Sequence, residues 1–305
     1  MIIYGSDDPG AIVYIKNFLI GSKYKKQEIK TIRALNNINK KVNFIITGSA
    51  LGDTLDKKII KWGKQEKIIT ISVIEHWTFF KKRFLINNKL FYPDFIFVND
   101  TYAKKLAIKE GIPKKKIFIS GNNYFRKIIK KKNINKFKTN TNKKVLFISE
   151  PLSESHSGKT LSQFGYNEFK ILDSILKNKP TDWNVTIKLH PKEKMQKYKK
   201  YLNNIRFLKV KNHRNIIQNY NFIIGMTSIL LLELGVYRSD IISYRLNSKD
   251  SFIGEKFGLT KNITKEKQLI NCFKKKPKNI NIKFIQKINS IKIKADMLFE
   301  LISLE

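Results

Sequence analysis

The chain has 305 residues and a formal net charge of +37, from 61 lysines and arginines against 24 aspartates and glutamates. That length permits two domains with cores of their own, and a hydrophobic share of 42% excludes a chain too polar to fold. The basic excess invites a nucleic-acid reading, yet only seven of the basic residues are arginine, the forked side chain that clamps phosphates and reads base edges. The excess of lysine, asparagine and isoleucine therefore reads as a property of the whole surface. One cysteine, Cys272, excludes an internal disulfide, and four scattered histidines offer no usual zinc spacing. No run of 18 apolar residues occurs, and the opening MIIYGSDDPG carries aspartates where a signal peptide is apolar. A cytoplasmic protein is expected, with the dispersed lysines leaving attachment to an anionic inner membrane face open.

In chain order, Ile2–Tyr4 reads as a short strand, followed by the turn Gly5–Gly10 and a helix over Ala11–Leu19. A second helical stretch over Lys25–Asn37 leads to a strand over Val42–Thr47, the loop Gly48–Gly52 and a helix over Thr54–Gly63. Strands follow at Lys67–Val73, Phe95–Val98 and Ile117–Ser120, with a helix over Tyr102–Glu110 that Gly111 and Pro113 stop. Lys114–Lys144 holds twelve basic residues and no acidic one, and its NINKFKTNTNKK stretch reads as a linker. The alternation then resumes. Strands are expected at Val145–Ser149, Val185–Leu189, Ile205–Leu208, Phe222–Gly225 and Ile241–Tyr244, and helices at Tyr166–Leu176 and, rich in lysine, after Pro191. Amphipathic segments near Lys265–Phe273 and Phe284–Ile302 close the chain. Apolar strands without alternation, separated by helices, indicate parallel sheets covered on both faces. The expected organisation is a first α/β domain over 1–128, a basic linker over 129–144, a second α/β domain over 145–282 and a C-terminal helix over 283–305.

In such sheets ligands bind beyond the carboxyl ends of the strands, and there the polar clusters fall. Ser157-Gly158-Lys159-Thr160 lacks the first glycine of a phosphate loop, and Pro151 and Glu154 oppose one, although Lys159 remains a possible charge partner. Thr227-Ser228 follows a strand ending in Gly225 and starts a helix, which suits an anion or a plain helix cap equally. Lys188-Leu189-His190-Pro191 also follows a strand. An imidazole there can neutralise a phosphate or donate a proton, or it is an incidental loop histidine. In the first half, Glu75-His76-Trp77 ends a strand with a carboxylate, an imidazole and an aromatic platform suited to deprotonating a sugar hydroxyl. Arg83 can meet an anion. The turns carrying Asp7, Gly10 and Gly48 can approach an acceptor, or serve only as tight connections.

The segments VIEHWTFFKKRF, PDFIFVNDTYAKKLAIKEGIP, TIKLHPKE and IIGMTSILLLELG together resemble bacterial glycosyltransferases of the GT-B architecture. The resemblance is to surface-polysaccharide enzymes near the sialyltransferase, Kdo-transferase and glycerophosphotransferase-like groups, and covers roughly residues 1–250. It implies two Rossmann-like domains facing a central cleft. It also implies a nucleotide-sugar donor, a CMP-sugar ahead of a UDP-sugar, held by the second domain. His190 and Pro191 would meet the donor phosphate, as would Thr227 and Ser228, with Lys188 adding charge and Glu233 near the ribose or base. Glu75, with His76 in reserve, would activate a hydroxyl of a glycan or lipid-linked acceptor bound near Asp7, Gly10, Gly48, Trp77 and Arg83. Transfer would be a single, inverting displacement without metal or cofactor. A nucleotide-sugar epimerase or hydrolase of the same architecture is the alternative, and a nucleic-acid-binding protein, expected to bind in a salt-sensitive way, a further one.

Overall fold

The computed structural model describes residues 1–38, 40–87, 89–130, 143–154, 165–208, 213–249, 251–276, 291 and 293–304. Its first elements are β1 (Ile2–Gly5), α1 (Pro9–Phe18), β2 (Lys26–Glu28), β3 (Phe44–Thr47), α2 (Leu55–Gln65) and β4 (Ile69–Ile74). Next come the short hairpin β5 (Leu85–Ile86) and β6 (Lys89–Leu90), then β7 (Phe95–Val98), α3 (Thr101–Lys109), β8 (Ile117–Ile119) and α4 (Asn123–Lys130). The later elements are β9 (Lys144–Ile148), α5 (Glu168–Asn178), β10 (Asn184–Lys188), β11 (Ile205–Phe207), α6 (His213–Asn219), β12 (Phe222–Gly225) and α7 (Ile229–Gly235). After them follow β13 (Ile241–Tyr244), α8 (Ile253–Lys256), β14 (Lys261–Ile263), α9 (Glu266–Lys274) and α10 (Ala295–Ile302). No described helix is long and apolar enough to cross a membrane.

Two compact units result, one formed by Met1–Lys127 with Gln286–Glu305 and one by Ile128–Ile285. Each contains a six-stranded parallel sheet, in the orders β2-β1-β3-β4-β7-β8 and β11-β10-β9-β12-β13-β14. All four residues of β1, β3, β12 and β13 are buried, as strands covered on both faces require. In the first unit α10 returns to the sheet: Phe299 stacks on Phe44 with ring centroids 4.7 Å apart and meets Phe18 edge-on. The core of the second unit gathers Val145, Phe147, Ile187, Phe222 and Ile224, with Trp183 packed against Phe222 at 5.3 Å.

The helices begin where local chemistry favours them. Asp8 caps α1 through Gly10 N–H, with proline at the start; Asp100 caps α3 through Ala103 N–H, and Asn167 caps α5 through Lys170 N–H. α2 is different. Thr54 makes no side-chain cap there, and the Asp7 carboxylate accepts instead from Leu55 N–H at 2.7 Å. The helix expected over Lys25–Asn37 is instead the edge strand β2 followed by a 3-10 turn over Ile32–Asn37. Lys26–Glu28 pairs on one side only, with β1, so it shows no apolar pattern to mark it as a strand. The lysine-rich helix expected after Pro191 is a 3-10 segment, Met195–Tyr201, kinked at Tyr198. Most of the expected linker, the Ser157–Thr160 motif with Lys159, and the side chain of His213 lie outside the described residues.

Candidate functional site

In both sheets, the polar residues gather just beyond the carboxyl ends of the strands. Glu75 follows β4, is 6% exposed, and places Oε1 3.3 Å from His76 Nε2. Burial alone pushes its carboxyl up, but the charge and hydrogen bond of His76, with the Arg83 charge, outweigh that and hold it below its ordinary value. Its other oxygen, Oε2, is buried and accepts no hydrogen bond among the described residues. The result is an ionised carboxylate with a free acceptor in a protected position. The backbone beneath is pinned from neighbouring strands. Asn99, after β7, donates through Nδ2 to the Glu75 carbonyl at 2.7 Å, and Asn122, after β8, donates to Asn99 Oδ1 at 3.1 Å. Sequence reasoning missed both asparagines. Their shared signal is an asparagine within three residues of the end of a short apolar strand.

Asp8, Glu75 and His76 each bring one potential ligand atom to within 4.8 Å of one another. Glu75 and His76, expected to work without metal, thus form with Asp8 a group that could hold a cation. The positive Arg83 beside Glu75 and the α1 N-terminus at Asp8 weaken the field for one.

Several residues expected to contact an acceptor have structural work instead. Trp77 is 3% exposed and donates Nε1–H to Asp100 Oδ2 at 3.0 Å, so its ring is a packing surface and not an open platform. Asp7 caps α2, and Gly10 spends its N–H on the Asp8 cap. Arg83 is buried, and its guanidinium ties two loops by donating to the Ser49 and Thr78 carbonyls. At Gly48 the constraint is packing. An added Cβ would lie 2.7 Å from both Ala11 Cβ and Asp56 Oδ1, and closer still to Ser6 Oγ. Asp56 is itself buried and fixed by Ser6 Oγ–H at 2.6 Å and Asp7 N–H at 3.0 Å. Gly48→Ala is therefore expected to cost about 1–3 kcal/mol by overpacking, measured as a lowered urea midpoint; an unchanged midpoint would contradict this packing.

In the second unit, Glu150, His190 and Thr227 each lie two residues beyond the ends of β9, β10 and β12. Thr227 N–H and Oγ1–H donate to Glu150 Oε1 and Oε2 at 2.7 and 2.6 Å. The donors expected to hold phosphate are therefore occupied by a carboxylate of the same unit, which makes two well-formed bonds to one residue. Ser228 caps α7, its Oγ accepting from Leu230 N–H at 3.3 Å. Gly225 ends β12, where an added Cβ would lie 3.1 Å from Leu231 Cδ2 and 3.2 Å from Ile148 Cβ, again a packing position. Glu233 is buried on α7, and Lys188 ends β10. His190 sits in a turn, where its Nδ1 accepts from Lys192 N–H at 3.2 Å and its N–H donates to Glu193 Oε2 at 2.9 Å. Pro191 is exposed in that turn.

Glu193 opens a buried network. Its Oε1 accepts from Ser149 Oγ, Tyr198 OH and Lys197 Nζ at 3.0, 2.9 and 2.8 Å. Lys197 also pairs with Glu154 at 2.8 Å and with Glu168. Burial lowers the Lys197 ammonium, but the three carboxylates outweigh it and raise it above its usual value.

No family model matches the chain, and no curated protein matches it in sequence. Solved structures do match in fold. The UDP-GlcNAc 2-epimerase of Methanocaldococcus jannaschii, in complex with UDP-GlcNAc and UDP, aligns with a TM-score of 0.62 at 14% identity, over 100% of this chain and 99% of that one. The UDP-GlcNAc 2-epimerase of Neisseria meningitidis, bound to UDP-GlcNAc, aligns with a TM-score of 0.61 at 14% identity, again over 100% and 99%. Anabaena HepE, in complex with UDP and glucose, aligns with a TM-score of 0.58 at 9% identity, over 99% and 98%. At such identities the likeness shows the fold: two α/β domains of GT-B-like architecture, each with a six-stranded parallel sheet.

Proposed function

We propose that this protein is an enzyme acting on a nucleotide sugar, a UDP-sugar ahead of the CMP-sugar that the sequence motifs suggested, with epimerisation of the sugar as the leading reaction. The observation that carries this reading is Glu75: buried, held ionised, and with Oε2 accepting no hydrogen bond. Epimerisation takes a proton from one face of a sugar carbon and returns one to the other, so it needs a base with a free lone pair and an acid nearby. Glu75 supplies the base for one face, and His76, 3.3 Å from its Oε1, helps to hold it ionised. The fold supports the nucleotide, because the two 2-epimerases that it matches along their whole length were solved with UDP-GlcNAc. In this reading the second unit holds the diphosphate through His190, Ser228 and the charge of Lys188, with Glu233 toward the ribose.

A second reading is glycosyl transfer, favoured by the segments VIEHWTFFKKRF and TIKLHPKE. Glu75 would then take the proton of an acceptor hydroxyl on a glycan or lipid-linked oligosaccharide. A thermal-shift panel of UDP, CMP, GDP and CDP tests what the two readings share. Stabilisation by UDP that is lost in His190→Ala is expected. A shift with CMP alone would restore the CMP-sugar, and no shift with any of the four would remove both readings.

The pH profile tests Glu75 separately. Its carboxyl lies below the ordinary value largely because of His76, so wild-type activity persists to low pH and falls only as that depressed group protonates. Removing the imidazole removes that cause and raises the carboxyl. His76→Asn is therefore expected to move the acidic limb of kcat/KM to higher pH, and a limb left in place would assign it to another group.

A further inference from the structure

We propose that Glu193 is a positioning residue that fixes His190 as an Nε2–H hydrogen-bond donor, which makes His190 a group that stabilises anionic oxygen and not a base. The turn His190-Pro191-Lys192-Glu193 uses every backbone N–H that it has. His190 N–H donates to Glu193 Oε2 at 2.9 Å, Glu193 N–H donates back to the His190 carbonyl at 2.9 Å, and Pro191 has none to offer. The remaining one, Lys192 N–H, donates to His190 Nδ1 at 3.2 Å. A nitrogen that accepts a backbone hydrogen bond carries no proton, so in the neutral ring the proton resides on Nε2.

Glu193 is what holds this arrangement. Its side chain is wholly removed from solvent, where a carboxylate is stable only if its lone pairs are satisfied. Three donors from outside the turn meet Oε1: Ser149 after β9, and Lys197 and Tyr198 from the 3-10 segment. With Oε1 anchored there, Oε2 has one place to go, the His190 N–H, and the turn is locked to the end of β9. The strand end, the turn and the ring thus form one rigid body. A donor held before substrate arrives costs no reorganisation when negative charge builds on an oxygen.

The inference rests on the reading of the second unit as a diphosphate site, and its test keeps the two apart. Long-range 1H–15N correlation of the His190 ring in the wild-type full chain reads the tautomer directly. An unprotonated Nδ1 with a protonated Nε2 is expected. In Glu193→Gln, whose amide NH2 takes the place of Oε2 and cannot accept from His190 N–H, the ring should populate both tautomers, and UDP affinity should fall on the order of tenfold, the worth of one well-placed charge-assisted hydrogen bond. Glu193→Asp, too short to span the turn, gives the same two effects and serves if the glutamine variant does not fold. A wild-type ring protonated on Nδ1, or a tautomer unchanged in a folded variant, would overturn the proposal. The expected tautomers together with no UDP binding would leave it standing and count against the diphosphate site alone.

Discussion

Glu75→Gln is expected to lower turnover of a UDP-sugar by about 10²–10⁴-fold, the usual worth of a positioned general base, while UDP affinity stays unchanged. The substitution keeps the volume and planarity of the side chain, so the packing at the end of β4 survives. It removes the negative charge and the lone pair on Oε2 that accepts no hydrogen bond among the described residues. The amide can still receive a hydrogen bond from His76, and Asn99 still holds the backbone carbonyl. Steady-state kinetics with a parallel UDP titration separates the two effects. Turnover within a few fold of wild type would exclude Glu75 as the base. A large loss of UDP affinity would instead place it against the nucleotide.

Lys197→Met carries the largest expected loss of stability, about 3–5 kcal/mol, the cost of leaving a buried charge without its partner. The lysine side chain is 10% exposed, and it meets two carboxylates, Glu168 and Glu193, whose side chains are wholly buried. Methionine fills the space without the charge. Both carboxylates must then either stay ionised without their cation or take up protons, and each course is unfavourable. Ser153 N–H, at 3.0 Å from Glu168 Oε2, and the donors around Glu193 soften the loss without removing it. Thermal unfolding should fall on the order of 10 °C for a unit of this size. Adding Glu168→Gln to the variant should recover part of the loss, because it removes one of the two stranded charges. A Lys197→Met protein as stable as wild type would show that the network contributes nothing to the fold.

The parts of the structure that were legible in the sequence are those written in short stretches. Apolar runs such as Phe44–Thr47 and Phe222–Gly225 mark buried parallel strands, and Gly111 with Pro113 marks the end of α3. The strand-end positions of Glu75, His190 and Thr227 follow from the same alternation. What escaped is written across long distances. Lys197 is one lysine among dozens until the fold brings Glu154, Glu168 and Glu193 around it. Thr227 looks like an anion site until Glu150 arrives from a strand 77 residues earlier. Trp77 beside a histidine suggests a sugar platform, and only the Asp100 partner shows that the indole turns inward. β2 is polar because it lies at an edge, so no apolar pattern announces it. Glu193 lay within a segment already singled out, TIKLHPKE, but its use depends on donors from β9 and from the 3-10 segment.

The most direct measurement is 1H NMR of the anomeric region during incubation of UDP-N-acetylglucosamine with the purified protein and no acceptor. The expected result is a second UDP-N-acetylhexosamine that grows to a constant ratio while total UDP-sugar is conserved, and that is absent with Glu75→Gln. Free UDP that appears only when a glycan acceptor is added would select the transferase instead. A UDP-sugar that neither binds nor changes, with or without acceptor, would contradict the assignment of this protein to nucleotide-sugar chemistry.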